Sequence, residues 1–237
     1  MSRFVHHIPC PTCGSRDNRA VYDDGHEYCF GCNDYKRGNM GEVVTIPYVY
    51  TRLPSDVGPV PNNQNRIWLR KYLSDDEIDE FFSYSNILNR HIYTYHKGEE
   101  DQFWEARSVN GGWPKVLNYG QKPFALWGNY KESGIVVFVE DIVSAIRLSK
   151  HFGVVALHGS TIPNSHLIPI AKRDDVKCLV FWLDNDKLTE SLRLSQVCRY
   201  IKPSVSISTK EDPKAVSEEQ LSEEMEVALS IVQGEFL

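Results

Sequence analysis

Four cysteines near the start of the chain have the type and spacing of metal ligands. They form two Cys-x2-Cys pairs separated by fifteen residues, at Cys10, Cys13, Cys29 and Cys32. This spacing is typical of a tetrahedral four-thiolate zinc site. A redox dithiol is the alternative, and two pairs at this distance disfavour it. Because the stretch has too few apolar residues to build a core, we expect a structural zinc ion to fold it.

The residues around these cysteines mix hydrogen-bond donors, acceptors and aromatic faces. Such a mixture suits the reading of bases in single-stranded nucleic acid, where bases can stack and hydrogen-bond. An ordinary solvated surface is the alternative for each of them. The candidates are Arg16, Arg19, Asp24, His26, Tyr28, Phe30, Lys36 and Arg37.

Three acidic residues follow apolar runs in the second half of the chain. Glu140 ends IVVFVE, and Asp184 and Asp186 end VKCLVFWLDND. In a parallel sheet the carboxyl ends of strands gather at one edge, so these carboxylates should converge. Converging carboxylates favour a divalent cation, and their hard oxygens favour Mg²⁺ over zinc. Helix caps or surface acids are the alternative, and would be preferred for a lone aspartate. The chain has no P-loop motif.

The elements that must position these acids form an α/β pattern. From Gly134 onward, apolar β-branched runs alternate with helical patterns, which predicts a mostly parallel sheet. Before it, Ser74 and Glu77 form a capping box that starts a helix, and an alternating stretch with glycine turns predicts antiparallel strands. A last capping box predicts a C-terminal helix that docks on the core by its apolar face.

The predicted fold class is therefore α/β, with a small β zinc ribbon tethered to the α/β domain and a mixed α+β subdomain between them. We place the ribbon at residues 1–42, a proline-rich linker at 43–65, the mixed subdomain at 66–132 and the α/β domain with its C-terminal helix at 133–237.

Charge and composition limit the functional classes. The net charge is −6, but residues 211–237 carry eight acidic residues and one basic residue, so the rest of the chain is close to neutral. A near-neutral body disfavours tight non-specific duplex binding. The sequence has no run of eighteen apolar residues and no secretory signal, so we expect a cytoplasmic protein without a membrane partner. Cys178 and Cys198 lie in apolar patterns and are expected to be buried.

The motifs together resemble those of the DNA primases of tailed bacteriophages. In that family a zinc-binding domain is tethered to a TOPRIM-fold RNA polymerase domain. The resemblance is carried by HIPCPTCGSRDNRAVYDDGHEYCFGC, then VVFVEDIVSAIRL, ALHGS and VFWLDND, in that order. It implies synthesis of short RNA primers from ribonucleoside triphosphates on a single-stranded DNA template.

The resemblance also implies roles for particular residues. Asp24 and His26 would contact template bases. Glu140, Asp184 and Asp186 would hold catalytic Mg²⁺, for which Mn²⁺ could substitute. The family's basic segment corresponds to Arg107, Lys115 and Lys122, which would bind nucleotide or template phosphates, and its further acid corresponds to Asp212.

The chain departs from the family pattern beside the glutamate. TOPRIM sequences usually have glycine after it and an acid four residues beyond it, and here those positions are Asp141 and Ser144. Asp141 is a candidate to supply the missing carboxylate, although in an ideal strand it would point to the opposite side from Glu140. The stretch after Asp186 also lacks the usual glycine turn.

Two other functions remain open from the sequence. One is a non-catalytic zinc and TOPRIM protein that binds DNA, as recombination mediators do, and the other is a TOPRIM nuclease. For a primase, the chain ends where fused relatives continue into a helicase, so the replicative helicase and the DNA polymerase are expected to be separate partners.

Overall fold

The computed structural model describes residues 4–16, 18–38, 53–97, 100–108, 110–112 and 114–233. The N-terminal part is a small antiparallel sheet with strand order β1-β2-β3-β4. Its strands span Phe4–Ile8 (β1), Arg19–Tyr22 (β2), Glu27–Cys29 (β3) and Tyr35–Lys36 (β4). The four clustered cysteines lie in its turns and at the end of β3, so this part is the ribbon that the spacing predicts.

A second antiparallel sheet has strand order β5-β6-β7-β8-β9. Its strands span Gly58–Pro59 (β5), Ser83–Ser85 (β6), Arg90–Lys97 (β7), Glu100–Arg107 (β8) and Val116–Gly120 (β9). Two short helices precede β6, at Gln64–Leu69 (α1) and Asp75–Phe81 (α2). The predicted capping box starts α2, since the Ser74 and Glu77 side chains each accept from the other residue's backbone N–H.

The predicted linker is shorter than expected at its C-terminal end. Residues 43–52 of it lie outside the described residues. Strand β5, however, pairs with β6, and Val60 is buried in the main core. This segment is ordered for two local reasons. Proline is tolerated in an edge strand such as β5, and the Asn63 side chain caps α1 by accepting the Asn65 N–H. The proline and asparagine residues therefore serve as an edge strand and a helix cap.

The third sheet has strand order β10-β12-β11-β13-β14. Strands β11 to β14 are parallel to one another, and β10 pairs antiparallel with β12 as an edge that the sequence pattern did not predict. The strands span Trp127–Gly128 (β10), Ile135–Val139 (β11), Gly153–Ala156 (β12), Cys178–Phe181 (β13) and Ser204–Ser206 (β14).

Five helices accompany the third sheet. They span Tyr130–Ser133 (α3), Ile142–Leu148 (α4), Asn164–Ala171 (α5), Leu188–Cys198 (α6) and Glu218–Gln233 (α7). None of the helices within the described ranges is long and apolar enough to cross a membrane.

The core lies on both faces of β11, whose five residues are fully buried. Alternate side chains of the strand enter two apolar clusters. One cluster also contains Leu69 and Ile78 from α1 and α2 and Met225 from α7. The second sheet's helices and the C-terminal helix are thus packed onto the α/β domain. The predicted α/β fold class, with a separate β ribbon and a preceding α+β subdomain, is confirmed.

Candidate functional site

The four clustered sulfur atoms converge. The Sγ atoms of Cys10 and Cys32 are 3.7 Å apart, as are those of Cys13 and Cys29, and all four lie within 4.8 Å of one another. A tetrahedron with Zn–S bonds of about 2.3 Å has edges of about 3.8 Å, whereas a disulfide needs about 2.05 Å. The arrangement therefore fits a four-thiolate zinc site and excludes disulfide pairing in this structure.

Arg19 lies directly beside this cluster. Its guanidinium donates to Glu27 at 2.6 Å, to Asp34 at 2.6 Å and to the Cys10 sulfur at 3.7 Å. The sequence interpretation placed Arg19 on the outer surface, but the residue is only 4% exposed. The reason is its position in β2, an inner strand that pairs with β1 on one side and with β3 on the other. Arg19 therefore supports the cysteine site and is not a surface contact for nucleic acid.

Asp24 and His26 form a pair at the β2–β3 turn. Their Oδ1 and Nδ1 atoms are 2.5 Å apart, and the His26 ring stacks on Tyr22 with 4.0 Å between ring centroids. Burial would raise the pKa of Asp24, but hydrogen bonds from His26 outweigh it and lower that pKa. Phe30 and Tyr35 nearby are exposed aromatic residues. The ribbon thus presents a fixed polar pair next to exposed rings.

Glu140 and Asp184 meet at the carboxyl edge of the parallel sheet. The backbone N–H of Asp184 donates to Glu140 Oε1 at 3.2 Å. Burial, together with the Asp184 charge, raises the pKa of Glu140 to about 7. Burial also raises the pKa of Asp184, and the Asp212 charge adds to this effect.

One oxygen of this pair lacks a partner. Asp184 Oδ1 is buried and accepts no hydrogen bond from the described residues. A buried carboxylate oxygen left without a donor, beside a second carboxylate, suits a hard divalent cation. The donor set at this edge therefore fits Mg²⁺.

Asp186 does not converge with the other two acids. It lies in a 3₁₀ turn at Asn185–Lys187, its side chain is 71% exposed, and it pairs with Lys187 at 2.6 Å. Within the part of the chain that the structure describes, only the cysteines form a set of three or more such ligands within 4.8 Å. The sheet edge therefore brings Glu140 and Asp184 together and leaves Asp186 turned toward solvent.

Asp141 and Asp212 are bridged by a lysine. Lys214 Nζ lies 3.0 Å from Asp141 Oδ2 and 2.5 Å from Asp212 Oδ2. The sequence interpretation had Asp141 pointing away from Glu140. The strand alternation behind that prediction does not apply, because β11 ends at Val139 and Asp141 caps α4, where its side chain accepts the Ser144 N–H. The charges of both Asp141 and Asp212 act on Asp184.

Of the three predicted basic residues, Arg107 lies near the acidic edge and Lys122 lies beside the loop that follows β12. The Arg107 guanidinium stacks over Trp68 at 5.3 Å, and its charge contributes to lowering the pKa of Asp141. Lys122 Nζ lies close to the backbone of Gly159, so that any side chain at this position would contact it. The Gly159 N–H in turn donates to the Glu140 carbonyl.

Lys115 is placed differently. Its side chain is exposed, and its carbonyl accepts hydrogen bonds from Ser108 and Arg90 in the second sheet. The structure gives it no contact with the acidic edge among the interactions of the described residues.

Two features of this region were missed by sequence reasoning. One is Lys214, whose only signal was its position two residues after Asp212. The other is a buried pair in which His158 Nδ1 lies 3.1 Å from Glu105 Oε2. Glu105 belongs to β8 and His158 follows β12, so this pair joins the second sheet to the carboxyl edge of the third.

Comparisons with known proteins place this site in context. No protein-family model matches the chain. A curated DNA helicase/primase of enterobacteria phage T3 is 58% identical over 31 residues, which are 13% of this chain. The match covers only 6% of that relative's length. It agrees with the resemblance to phage primases that the motifs indicate.

Two of the solved structures that align with the chain are of primases. The primase fragment of the bacteriophage T7 primase-helicase protein aligns with 97% of this chain and 100% of its own, at 16% identity and a TM-score of 0.46. The DnaG catalytic core aligns with 73% of this chain and 65% of its own, at 17% identity and a TM-score of 0.46.

Proposed function

We propose that the protein is a DNA primase that makes short RNA primers from ribonucleoside triphosphates on single-stranded DNA during phage replication. The observation that carries the proposal is the 58% identity over 31 residues with a phage DNA helicase/primase. Two structural features support it: a four-thiolate ribbon suits template reading, and a pair of half-buried carboxylates at the edge of a parallel sheet suits metal-dependent nucleotidyl transfer.

We assign the catalytic metal to the acidic edge. Glu140, Asp184 and Asp186 would hold Mg²⁺, or Mn²⁺ in its place, with Asp212 beside them. Bound metal would neutralise the triphosphate and favour ionisation of the primer 3′-hydroxyl. The 3′ oxygen then bonds to the α-phosphorus, the bond to pyrophosphate breaks, and the hydroxyl proton passes to solvent.

The chain's own residues orient this reaction. Glu140 accepts the Asp184 N–H and so fixes the loop after β13. Because Asp186 is exposed, its side chain can rotate toward the edge without a cost from breaking packing. Arg107 and Lys122 supply positive charge for the triphosphate, and stacking on Trp68 holds the Arg107 guanidinium in place. Lys115, exposed on the same sheet, is available to template phosphates.

The ribbon would select the starting position on the template. A structural Zn²⁺ at the four cysteines holds the β2–β3 turn, and Asp24 and His26 then meet the template bases. Their mutual hydrogen bond reduces the freedom of both side chains, so less entropy is lost when a base binds. The partners we assign are single-stranded DNA, ribonucleoside triphosphates, and a separate replicative helicase and DNA polymerase, in the host cytoplasm.

A priming assay tests the proposal. Zinc-loaded protein would be given labelled ribonucleoside triphosphates and Mg²⁺ on single-stranded templates covering every trinucleotide, with and without the helicase. We expect short oligoribonucleotides from the wild type, and a loss of at least 100-fold in rate for Asp184→Ala. Cys29→Ser should remove template-dependent starts. Matched controls are Asp174→Ala, at an exposed acid after α5, and Cys198→Ala, at a buried cysteine outside the cluster.

The outcomes separate the possible functions. If no template yields an oligoribonucleotide, the primase proposal fails. Cleavage of DNA by metal alone would identify a nuclease. DNA binding that is unaffected by Asp184→Ala, without any synthesis, would identify a non-catalytic binding protein.

A further inference from the structure

We propose that Lys214 is a fixed internal cation that takes the place of a second divalent ion, so that the acidic edge binds a single metal ion. Lys214 is then a positioning residue. This inference rests on the proposed function, because it concerns the metal site of that reaction.

Lys214 is buried and is bound by two carboxylates at once. Its side chain is 5% exposed, and its Nζ contacts Asp141 at 3.0 Å and Asp212 at 2.5 Å. An ammonium group this deep in the protein needs both partners, since burial disfavours its charge. The two carboxylates compensate the charge of the ammonium group at this depth.

Three hydrogen bonds already occupy most of the acceptor sites of the Asp141 carboxylate. Its Oδ1 accepts the Ser144 N–H at 3.0 Å, and its Oδ2 accepts both the Ser144 hydroxyl at 3.1 Å and Lys214. Asp184 differs, because its buried Oδ1 has no donor among the described residues. A cation entering this edge would therefore meet Asp184 as the ligand still to be satisfied.

The backbone around Lys214 is held in place as well. Arg147 of α4 donates to the Lys214 carbonyl at 2.6 Å and also pairs with Glu218 at the start of α7. The Arg147 guanidinium therefore links α4, the Lys214 backbone and the start of α7. The position of the ammonium group is set by the fold and does not depend on a bound ligand.

The charges at this edge favour one ion over two. Four carboxylates lie there, at Glu140, Asp141, Asp184 and Asp212, and Lys214 neutralises part of that charge. A second divalent ion near Asp212 would have to displace the ammonium group or sit beside it, and like charges at such distance repel strongly. Replacing Lys214 with a neutral side chain should therefore open Asp141 and Asp212 to another ion.

Counting bound Mn²⁺ tests this inference. The zinc-loaded full chain would be titrated with Mn²⁺ alone, and the free ion measured by electron paramagnetic resonance. We expect one bound ion in the wild type, in Lys214→Arg and in the matched control Lys210→Met, whose lysine is exposed. Lys214→Met should bind two. Two ions in the wild type, or one ion in a folded Lys214→Met, would overturn the inference.

A second pair of variants gives an answer even if Lys214→Met does not fold. Asp212→Asn should leave the Mn²⁺ affinity within twofold of the wild type, whereas Glu140→Gln should weaken it at least tenfold. Equal weakening by both changes would contradict the inference. If the wild type binds no Mn²⁺ at all, both this inference and the metal site of the proposed function are wrong. If it binds Mn²⁺ but replacement of Lys214 changes nothing, only the role of the lysine is wrong.

Discussion

The Asp141 carboxylate accepts hydrogen bonds from both the backbone N–H and the hydroxyl of Ser144, at 3.0 and 3.1 Å. In the phage primases that the sequence resembles, the first of these positions is usually glycine and the second an acid. Here Asp141 stands at the first of these positions and Ser144 at the second, so the carboxylate comes three residues earlier in the chain.

This relationship predicts that Ser144→Asp destabilises the protein. Ser144 is 1% exposed, so a second carboxylate there would be buried against Asp141 with no further cation. We expect a loss of about 3 kcal/mol in the free energy of unfolding, measured with urea. The double change Asp141→Gly with Ser144→Asp restores a single carboxylate and should recover most of the loss. Ser165→Asp, at an exposed serine of α5, is the control and should change stability by less than about 0.5 kcal/mol.

Arg19→Met is expected to weaken zinc binding by about 10- to 100-fold. The guanidinium donates to Glu27, to Asp34 and to the Cys10 sulfur. Without it, Asp34 loses its cationic partner beside a negatively charged thiolate set, and Glu27 keeps only Lys36. Competition with a chromophoric chelator measures the affinity. Arg16→Met is the matched control, because Arg16 is exposed, and an equal effect of both changes would argue against a supporting role for Arg19.

Tyr35→Ala is expected to weaken binding of single-stranded DNA without unfolding the ribbon. The Tyr35 ring is 59% exposed and lies 5.8 Å from the His26 ring, so it offers a free face on which a base can stack. Loss of one stacking contact costs about 1–3 kcal/mol, which corresponds to roughly 5- to 150-fold in affinity. Fluorescence anisotropy with a labelled oligonucleotide measures it. Tyr200→Ala removes an even more exposed ring outside the ribbon and should leave the affinity unchanged.

His91 is expected to make the fold sensitive to acid. Burial lowers its pKa to about 4, and the nearby Arg107 charge acts in the same direction. The unfolded chain binds a proton near pH 6.5 and the folded chain only near pH 4, so stability is lost as pH falls through that interval. The full loss is about 3 kcal/mol for this shift.

Replacing His91 with leucine should remove this part of the pH dependence. Urea unfolding at several pH values between 4 and 7 measures it. The control is His96→Leu, since His96 is exposed in the same strand. A His91→Leu protein whose stability falls with acid as steeply as that of the wild type would refute the assignment.

The sequence by itself determined the parts of this protein that local patterns encode. The cysteine spacing predicted a four-thiolate cluster, and the sulfur atoms converge as a tetrahedral site requires. Alternating apolar runs predicted a parallel sheet, and this placed Glu140 and Asp184 at one edge. Capping boxes predicted the starts of α2 and α7. The cysteine pairs and the capping boxes involve residues that are close in sequence. For Glu140 and Asp184, the apolar runs before them show that each follows a buried strand.

Only the tertiary structure decided which charges neutralise one another. Lys214 bridges Asp141, 73 residues away, to Asp212, and no local pattern reports such a pair. Arg19 is buried because strands on both sides bring it three acceptors, although an arginine is usually exposed. The same holds for Asp186, whose spacing suggests convergence but whose 3₁₀ turn directs it to solvent. Burial of a charge depends on partners that distant segments supply, and those partners exist only once the chain has folded.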